Sequence, residues 1–460
     1  MTGKLTSSSP TSVLLSFTTR NVRSYWDEVN LSLLGTRVSD EGVARDLAYA
    51  GSSSHVSVLP VAGIFGANAS GKSTILRAMM DMREIVLGSF RQGSQESKLP
   101  RQRFLLRAES VERPSSFEVD LVLNGVRWQY GFEINDDQVL DEYAYHYPHG
   151  KQALVFYRSG DDNDPKFGSA FRSPGRAFVR LVRKNALLLS VAGAVADSTG
   201  DDRQGVVALI GSLFIWFQHN FDVAVPDSRE LRIGHTAGRL ENSSARTRIT
   251  RLLRAADLGI TKIERRRMDT DPELVEWMQQ MPRIRREVDE ESEPQREVRV
   301  TTPDDVRLYH SGTEEPVAID SQYESQGTLT WVGLLGPALD ALAAGSVLLV
   351  DELDSSLHPH LVRQFVRLFQ YPKTNPLCAQ LIFNAHDHTI LGDSRQRTLG
   401  RDQIWFTEKD STGATTLYPM VELGPKSDEA LGRRYLQGRY GGVPRLNPAA
   451  FDQATDPTES

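Results

Sequence analysis

The sequence has almost no cysteine and no long apolar run. Cys378 is the only cysteine among 460 residues, so the chain forms no internal disulfide and no cage of several thiolates around a metal. The Ser/Thr-rich N-terminus lacks the charged-then-apolar pattern of a secretory signal, and no apolar run approaches the length of a membrane span. These absences predict a protein of the reducing cytoplasm without a membrane partner.

A strong excess of charge is also lacking. The formal net charge is −7, so any nucleic acid would have to bind at a local basic patch. Hydrophobic residues at 39% and charged residues at 25% are ordinary values for globular proteins. A chain of this length therefore has enough apolar material for one large core or for two to three ordinary ones.

A phosphate-binding loop is the clearest motif in the chain. Residues 66–73 read GANASGKS and fit the pattern G-x-x-x-x-G-K-[ST] at every fixed position. An apolar run at 61–65 precedes the loop, and residues 72 to about 85 have the spacing of a helix. The glycines let the backbone wrap a phosphate chain, while the helix N-terminus and Lys72 supply positive charge. The motif predicts binding of a nucleoside triphosphate.

The predicted nucleotide-binding residues are consecutive. They are Gly66, Ala67, Asn68, Ala69, Ser70, Gly71, Lys72, Ser73 and Thr74. Among them, Ser73 is expected to place its hydroxyl on Mg²⁺.

Two carboxylates follow a second apolar strand. The run Val347–Val350 is typical of a buried parallel strand and leads directly into Asp351 and Glu352. Since α/β sheets bind ligands at the carboxyl ends of their strands, we expect Asp351 to hold Mg²⁺ beside Ser73. Glu352 is expected to act as general base toward the attacking water. Acidic residues also end strands for structural reasons, and the phosphate loop earlier in the chain favours the catalytic interpretation.

A histidine follows the next predicted strand. The apolar run at 381–384 leads to His386, which could reach the γ-phosphate or the catalytic water from the end of a neighbouring strand. His388 is the competing candidate. Ser325 and Gly327 stand before a further predicted helix, where an anion-binding N-terminus and a plain N-cap explain the same residues. The residues alone leave both interpretations open.

The order of these motifs resembles the ATP-binding-cassette-type ATPases, including the SMC-type and RecF-type DNA-repair heads. The segments FGANASGKS, ESQGT, LLVDELDSSLHP and NAHD, with QIWFTEKD and RRYLQGRYGGVP near the end, are most similar to the bacterial AAA-family ATP-binding proteins. That group is related to the ATPase part of overcoming-lysogenisation-defect (OLD) nucleases and to ATPase subunits of phage-defence systems. The resemblance covers roughly residues 13–160 and 298–445.

The resemblance implies a composite site between two ATPase heads. In such proteins each nucleotide lies between the phosphate loop of one head and the signature serine of the other, so Ser325 and Gly327 would contact the γ-phosphate held by the opposite subunit. We therefore expect a homodimer or higher homo-oligomer, with ATP and Mg²⁺ as cofactors. The signature reads ESQGT rather than the LSGGQ of transporters, which argues against a transporter. Gln102 is the candidate for the Q-loop glutamine.

The OLD nucleases carry a TOPRIM nuclease domain after the ATPase. About 70 residues follow His386 in this sequence, and they show no strand-borne Glu followed by Asp-x-Asp. We therefore expect the effector to be a separately encoded protein.

The predicted fold class is α/β, a P-loop NTPase of the ABC/SMC-head type with an added antiparallel β region and a helical insertion. Two alternating segments, 117–123 and 126–132, are joined by Asn124-Gly125, which is a strong hairpin signal. The predicted domains are an N-terminal ATPase lobe at 1–165, a helical insertion at 166–297, and a C-terminal ATPase lobe at 298–460.

Three functions remain open on the sequence. The first is an Mg²⁺-dependent ATPase that assembles around ATP and regulates an effector, as in phage defence. The second is a RecF-like DNA-binding head, supported by the arginines at 265–267 and by Arg433, Arg434, Arg439 and Arg445, although such arginines and the mixed-charge run at 283–297 are more often solvated surface. The third is a nucleotide-gated scaffold with little turnover. The segment 433–440 is either a partner surface or a packed C-terminal helix.

Overall fold

The computed structural model describes residues 12–37, 39–50, 55–91, 97–160, 162–169, 179–199, 206–224, 229–266, 304–312, 315–392, 397–444 and 447. Its strands are β1 (Ser12–Arg20), β2 (Val29–Ser32), β3 (Arg45–Leu47), β4 (Val56–Val58), β5 (Val61–Gly66), β6 (Ser115–Leu123), β7 (Val126–Ile134), β8 (Val139–His146), β9 (Ala153–Ser159), β10 (Asp162–Phe167), β11 (Phe221–Ala224), β12 (Ile260–Arg266), β13 (Asp305–His310), β14 (Val317–Asp320), β15 (Val347–Val350), β16 (Gln380–Asn384), β17 (Ile404–Lys409) and β18 (Thr415–Pro419). Its helices are α1 (Lys72–Gly88), α2 (Leu188–Thr199), α3 (Val206–His219), α4 (Arg229–Arg239), α5 (Ser243–Ala255), α6 (Gln326–Ala344), α7 (Pro359–Gln370) and α8 (Leu431–Leu436).

The central sheet has six strands in the order β11-β15-β16-β5-β17-β18. The first five run parallel, and β18 closes the sheet as an antiparallel hairpin with β17. Every residue of β5, β15 and β16 is buried, as is typical of parallel strands covered on both faces. Because β16 lies between β15 and β5, the carboxyl ends of these three strands meet at one edge.

A second, antiparallel sheet has seven strands in the order β10-β9-β8-β7-β6-β1-β2. The predicted hairpin is confirmed: β6 and β7 pair in register and are joined by Asn124 and Gly125. These two residues have φ angles of 50° and 74°, the left-handed conformation that a type I′ turn requires. The sheet shares its hydrophobic core with α1, α2 and α3. The predicted fold class is confirmed.

A fully buried ion pair fixes α2 on this antiparallel sheet. Glu142 on β8 accepts hydrogen bonds from the N–H groups of Leu188 and Leu189 at 2.6 and 3.0 Å. Its carboxylate also lies 3.8 Å from the Arg158 guanidinium on β9. Burial raises the pKa of Glu142, and Arg158 and the two N–H groups oppose that rise. The first turn of α2 therefore has partners for its N–H groups.

The chain divides into two compact units, Met1–Val225 with Asp340–Ser460, and Pro226–Leu339. The first unit contains both large sheets with α1, α2 and α3. The second contains α4, α5 and a three-stranded antiparallel sheet, β12-β13-β14. This division differs from the predicted limits at 165 and 297, because α2 and α3 join the main core through their apolar side chains. The predicted strand at 298–300 lies outside the described residues.

Within the part of the chain that the structure describes, one helix has the length and composition of a membrane span. It is α6, with 19 residues, so the expectation that no segment approaches such a length was wrong. In its most apolar window, 61% is buried inside the protein. A helix in the core of a globular unit has a similar length and apolar composition, because its side chains are buried. Trp331, Val332 and Leu335 of α6 are buried.

Candidate nucleotide-binding and catalytic site

The phosphate loop connects β5 to α1, and close neighbours require its two glycines. A Cβ on Gly66 would lie 2.5 Å from the Thr407 hydroxyl, and a Cβ on Gly71 would lie 2.5 Å from the Thr415 hydroxyl. Gly71 also has a φ of 102°, which disfavours any residue with a side chain. Strands β17 and β18, which carry the two threonines, therefore form the floor of the loop.

Hydroxyl groups hold the loop on this floor. The hydroxyls of Ser70 and Thr407 are 2.6 Å apart, and the Thr415 hydroxyl donates to the Ser70 carbonyl at 3.0 Å. Thr74 at the start of α1 contacts the Ser24 hydroxyl at 3.1 Å. Asn68, at the tip of the loop, is exposed. The loop is thus fixed at its base and open at its tip.

Lys72 lies under the loop with little exposure to solvent. Its side chain is 5% exposed, and Nζ donates to the carbonyl oxygens of Gly66 and Ala67 at 2.9 and 3.0 Å. Burial lowers the pKa of Lys72, and the carboxylates of Asp354, Glu352 and Asp351 oppose this shift. The Lys72 amine therefore lies next to the loop backbone that a bound phosphate chain would contact.

The structure brings Ser73 and Asp351 together across the edge of the central sheet. The Ser73 hydroxyl donates to Asp351 Oδ1 at 2.7 Å. Among the described residues, no three His, Cys, Asp or Glu side chains form a metal cage. One carboxylate and one hydroxyl fit Mg²⁺, which typically takes its other ligands from water and substrate phosphates. Their assignment as Mg²⁺ ligands stays a prediction.

Glu352 and His386 face each other at the same edge. His386 Nε2 lies 3.9 Å from Glu352 Oε1, and the two side chains are 42% and 44% exposed. Glu352 has a φ of 53°, an uncommon left-handed conformation that turns the chain after β15. His386, rather than His388, thus faces the predicted general base. Both catalytic roles stay predictions.

Two residues of this edge were not predicted from the sequence. The Asp354 carboxylate accepts the N–H groups of His386 and Asp387 at 2.8 and 2.7 Å, so it fixes the backbone that carries the histidine. Asn384 contacts Ser73, Asp351 and the backbone of Glu352. Both lie inside the predicted motifs, but residue type alone did not distinguish them from ordinary loop and strand residues.

The signature residues lie in the second unit at the start of α6. The Ser325 hydroxyl accepts the Thr328 N–H at 3.1 Å and lies 2.9 Å from the Thr328 hydroxyl. Ser325 is exposed and Gly327 is half-buried. The N-cap expected on general grounds is thus present, and a contact with nucleotide in trans stays a prediction.

The Gln102 carbonyl accepts the Arg23 N–H at 2.6 Å. This backbone contact does not test the predicted Q-loop role of the Gln102 side chain.

Several arginines named for DNA binding are engaged in ion pairs. Arg265 pairs with Glu241 and with Asp304, the latter at 2.5 Å, and Arg266 pairs with Asp320 at 2.8 Å. Arg434 pairs with Glu429. Arg267, Arg445 and the run 283–297 lie outside the described residues. Arg265, Arg266 and Arg434 thus have acidic partners of their own, whereas Arg433 and Arg439 are exposed. The ion pairs weaken the DNA-binding hypothesis for the first three arginines.

A phosphate loop between a buried strand and a helix, beside acidic residues that follow a second parallel strand, is the arrangement of the P-loop NTPase fold class. The chain belongs to the family described as "AAA domain, putative AbiEii toxin, Type IV TA system", whose sequence profile matches residues 61–203 and 209–392. The predicted relationship to bacterial AAA-family ATPases is confirmed. No curated protein matches the chain in sequence.

Solved structures that the comparison found similar include the SMC head domain from Thermotoga maritima, with 13% identity, a TM-score of 0.39, and coverage of 88% of this chain and 98% of that one. An Smc head bound to the C-winged helix domain of ScpA has 9% identity, a TM-score of 0.42, and coverage of 88% and 96%. The recombination mediator protein RecF with ATP has 13% identity, a TM-score of 0.35, and coverage of 90% and 100%.

Proposed function

We propose that this protein is an Mg²⁺-dependent ATPase of the cytoplasm that assembles around ATP and regulates a separately encoded effector in phage defence. The hydrogen bond between Ser73 and Asp351 carries the proposal. It joins the residue after the phosphate-loop lysine to the first carboxylate after β15, the strand separated from β5 by β16, and nucleotide hydrolysis needs both groups at one place.

The proposed chemistry assigns one task to each side chain. Ser73 and Asp351 would hold Mg²⁺, which supplies positive charge to the phosphate oxygens when bound. Lys72 would bind the phosphate chain through its buried ammonium group. Glu352 would accept a proton from the attacking water, and His386, 3.9 Å from Glu352, would orient that water or the γ-phosphate.

The composite site is the second part of the proposal. The exposed Ser325 and the backbone N–H groups at the start of α6 would bind the γ-phosphate held by a second copy of the chain. A homodimer or higher homo-oligomer would then form only with ATP bound, and hydrolysis would release it.

The link to defence rests on the family description, which names a putative AbiEii toxin of a type IV toxin–antitoxin system. A toxin–antitoxin system pairs a harmful protein with its antagonist, and an ATP-dependent assembly would give either partner two states. The effector itself is a separate protein in this proposal.

The test compares wild type with Glu352→Gln, with and without Mg-ATP, by native mass and by ATPase rate together. We expect the substitution to lower turnover at least about 100-fold, since general bases contribute on that scale, while ATP still binds. We also expect ATP to shift the protein to a larger species that the variant retains.

Each alternative has its own result in this experiment. Unchanged turnover in Glu352→Gln would remove Glu352 from the mechanism. Binding of ATP without single-turnover hydrolysis by wild type would favour the nucleotide-gated scaffold. Hydrolysis without any ATP-driven shift in mass would withdraw the trans role of Ser325. Steeply salt-dependent binding to a DNA duplex would favour the RecF-like alternative.

A further inference from the structure

Asn384 is the last residue of β16, the strand between the phosphate-loop strand β5 and the acidic strand β15. Its side chain is fully buried. A buried amide needs partners for two donors and one acceptor, because unpaired polar groups are costly in the interior. The partners of Asn384 belong to the candidate catalytic site.

The amide group connects three site residues. Nδ2 donates to the Ser73 hydroxyl at 3.2 Å and to Asp351 Oδ1. Oδ1 accepts the N–H of Glu352 at 2.7 Å. The opposite orientation of the amide would place its NH₂ group against the Glu352 N–H, so the neighbours fix the orientation. One side chain thus holds the hydroxyl and carboxylate expected to bind Mg²⁺ and the backbone of the expected general base.

The contact with Glu352 acts on an unfavourable backbone conformation. Glu352 has a φ of 53°, and a non-glycine residue pays about 1 kcal/mol or more for the left-handed region. Two consecutive N–H groups thus bond to Asn384. The Glu352 N–H donates to its side chain, and the Leu353 N–H donates to its main-chain oxygen at 3.1 Å. Asn384 therefore stabilises the bend that sets the direction of the Glu352 carboxylate.

We propose that Asn384 is a positioning residue for hydrolysis, which aligns the Ser73–Asp351 pair with Glu352. This inference rests on the proposed ATPase function. It assigns no contact between Asn384 and nucleotide or metal. Binding of ATP without Mg²⁺ should depend on the phosphate loop and not on Asn384, whereas turnover and the effect of Mg²⁺ on binding should depend on it.

The test compares Asn384→Ala with Asn375→Ala. Asn375 is a matched control because it is also a buried asparagine with three hydrogen bonds: it donates to the Phe369 and Ala379 carbonyls and accepts the Ala379 N–H, at 2.7 to 2.8 Å. None of these partners belongs to the candidate site. Three quantities are measured for each variant: kcat, the affinity for ATP in EDTA and in Mg²⁺, and thermal stability.

For Asn384→Ala we expect kcat to fall on the order of 100-fold, as for other losses of catalytic alignment, and the ratio of ATP affinities with and without Mg²⁺ to move toward one. Affinity in EDTA should change less than about twofold, which is below the contribution of one hydrogen bond. Asn375→Ala should lose stability while it keeps kcat and the Mg²⁺ effect.

Equal losses of kcat in the two variants, or a wild-type kcat and Mg²⁺ effect in Asn384→Ala, would overturn the proposal. If Asn384→Ala does not fold, Asn384→Asp keeps the shape and the acceptor but not the donors. The proposal then expects at least about a tenfold loss of kcat, and a wild-type kcat would overturn it. Failure of the proposed function is distinguishable, because wild type itself would then bind ATP without single-turnover hydrolysis.

Discussion

Two regions of the molecule are organised in opposite ways. One is the proposed catalytic edge of the central sheet, at Ser73, Asp351 and Asn384, called the catalytic edge below, and the other is the start of α6. At the catalytic edge, Ser73 bonds to Asp351 and Asn384, residues about three hundred positions away in the sequence. At the start of α6, Ser325 bonds to Thr328, three residues away. Tertiary packing fixes the first set of side chains, whereas a local helix cap fixes the second.

This difference shows what each region needs in order to function. The side chains of the catalytic edge are paired with one another, and pre-organisation of this kind contributes directly to binding and catalysis. Ser325 is exposed and its hydroxyl bonds to Thr328 within the same helix, so its proposed function depends on a surface supplied from elsewhere. Substitutions at the catalytic edge should therefore reduce binding or turnover, and those at Ser325 should reduce assembly.

The largest effect on ATP affinity is expected from Lys72→Met, which keeps the aliphatic stem and removes the charge. Because a hydrogen bond to a charged group contributes about 1.5–3 kcal/mol, ATP affinity should fall about 10- to 100-fold. A fluorescent ATP analogue titrated in EDTA measures this loss without any contribution from hydrolysis.

Thermal unfolding without nucleotide is the control for Lys72→Met. The substitution removes the two hydrogen bonds that Lys72 donates to loop carbonyls. Some loss of stability is therefore expected in addition to weaker ATP binding. Wild-type ATP affinity in a folded Lys72→Met variant would contradict the assignment of Lys72 to the phosphate chain. It would also remove the expected contrast, in which substitutions near the catalytic edge weaken ATP binding and those at the start of α6 do not.

The central sheet was largely predictable from the sequence. Strands β5, β15 and β16 are continuous apolar runs, and such runs are typical of buried parallel strands. The phosphate loop and the Asp351-Glu352 pair follow two of these strands, so their meeting at one edge followed from strand direction. The β6–β7 hairpin was predictable because Asn-Gly fits few other turns.

The second unit and the supporting residues were harder to predict. β12 contains Lys262 and Arg265 with few apolar residues, so its charges indicated surface rather than a strand. β14 has only four residues, too few for a periodic signal. Asn384 was read as a strand end because its burial and its partners depend on the packing of three strands that are distant in sequence.

A smaller and more selective effect is expected from Ser325→Ala. Loss of an N-cap costs about 0.5–2 kcal/mol, so stability should fall modestly. The proposed composite site predicts, in addition, that Ser325→Ala combined with Glu352→Gln no longer forms the larger species with Mg-ATP. Native mass measured across a range of ATP concentrations checks this loss.

Asn242→Ala is the matched control for Ser325→Ala. Asn242 caps α5 in the same unit and accepts the N–H groups of Ser244 and Ala245 at 2.9 and 3.1 Å. It should show the same loss of stability and retain assembly. If both variants lose assembly equally, the effect comes from stability, and Ser325 is a cap and nothing more.

The smallest effect is expected behind the phosphate loop, at Gly441. A Cβ there would lie 2.4 Å from the Tyr418 hydroxyl, and a Cβ on the next residue, Gly442, would lie 3.4 Å from Gly66 Cα. Gly441→Ala should therefore displace a segment that packs on the loop and lower ATP affinity about two- to fivefold, roughly the effect of 0.5–1 kcal/mol.

Gly424→Ala separates crowding from backbone strain in this last comparison. Gly441 and Gly424 have φ angles of 68° and 62°, so alanine at either position carries a similar conformational cost of about 1 kcal/mol. A Cβ on Gly424 has nothing within 4 Å. Both variants should unfold at lower temperature, and only Gly441→Ala should bind ATP more weakly. Equal ATP affinities of Gly441→Ala and Gly424→Ala would show that ATP binding by the phosphate loop does not depend on its packing against residues 441 and 442. The tertiary contacts that matter for the catalytic edge would then be those of Ser73, Asp351 and Asn384.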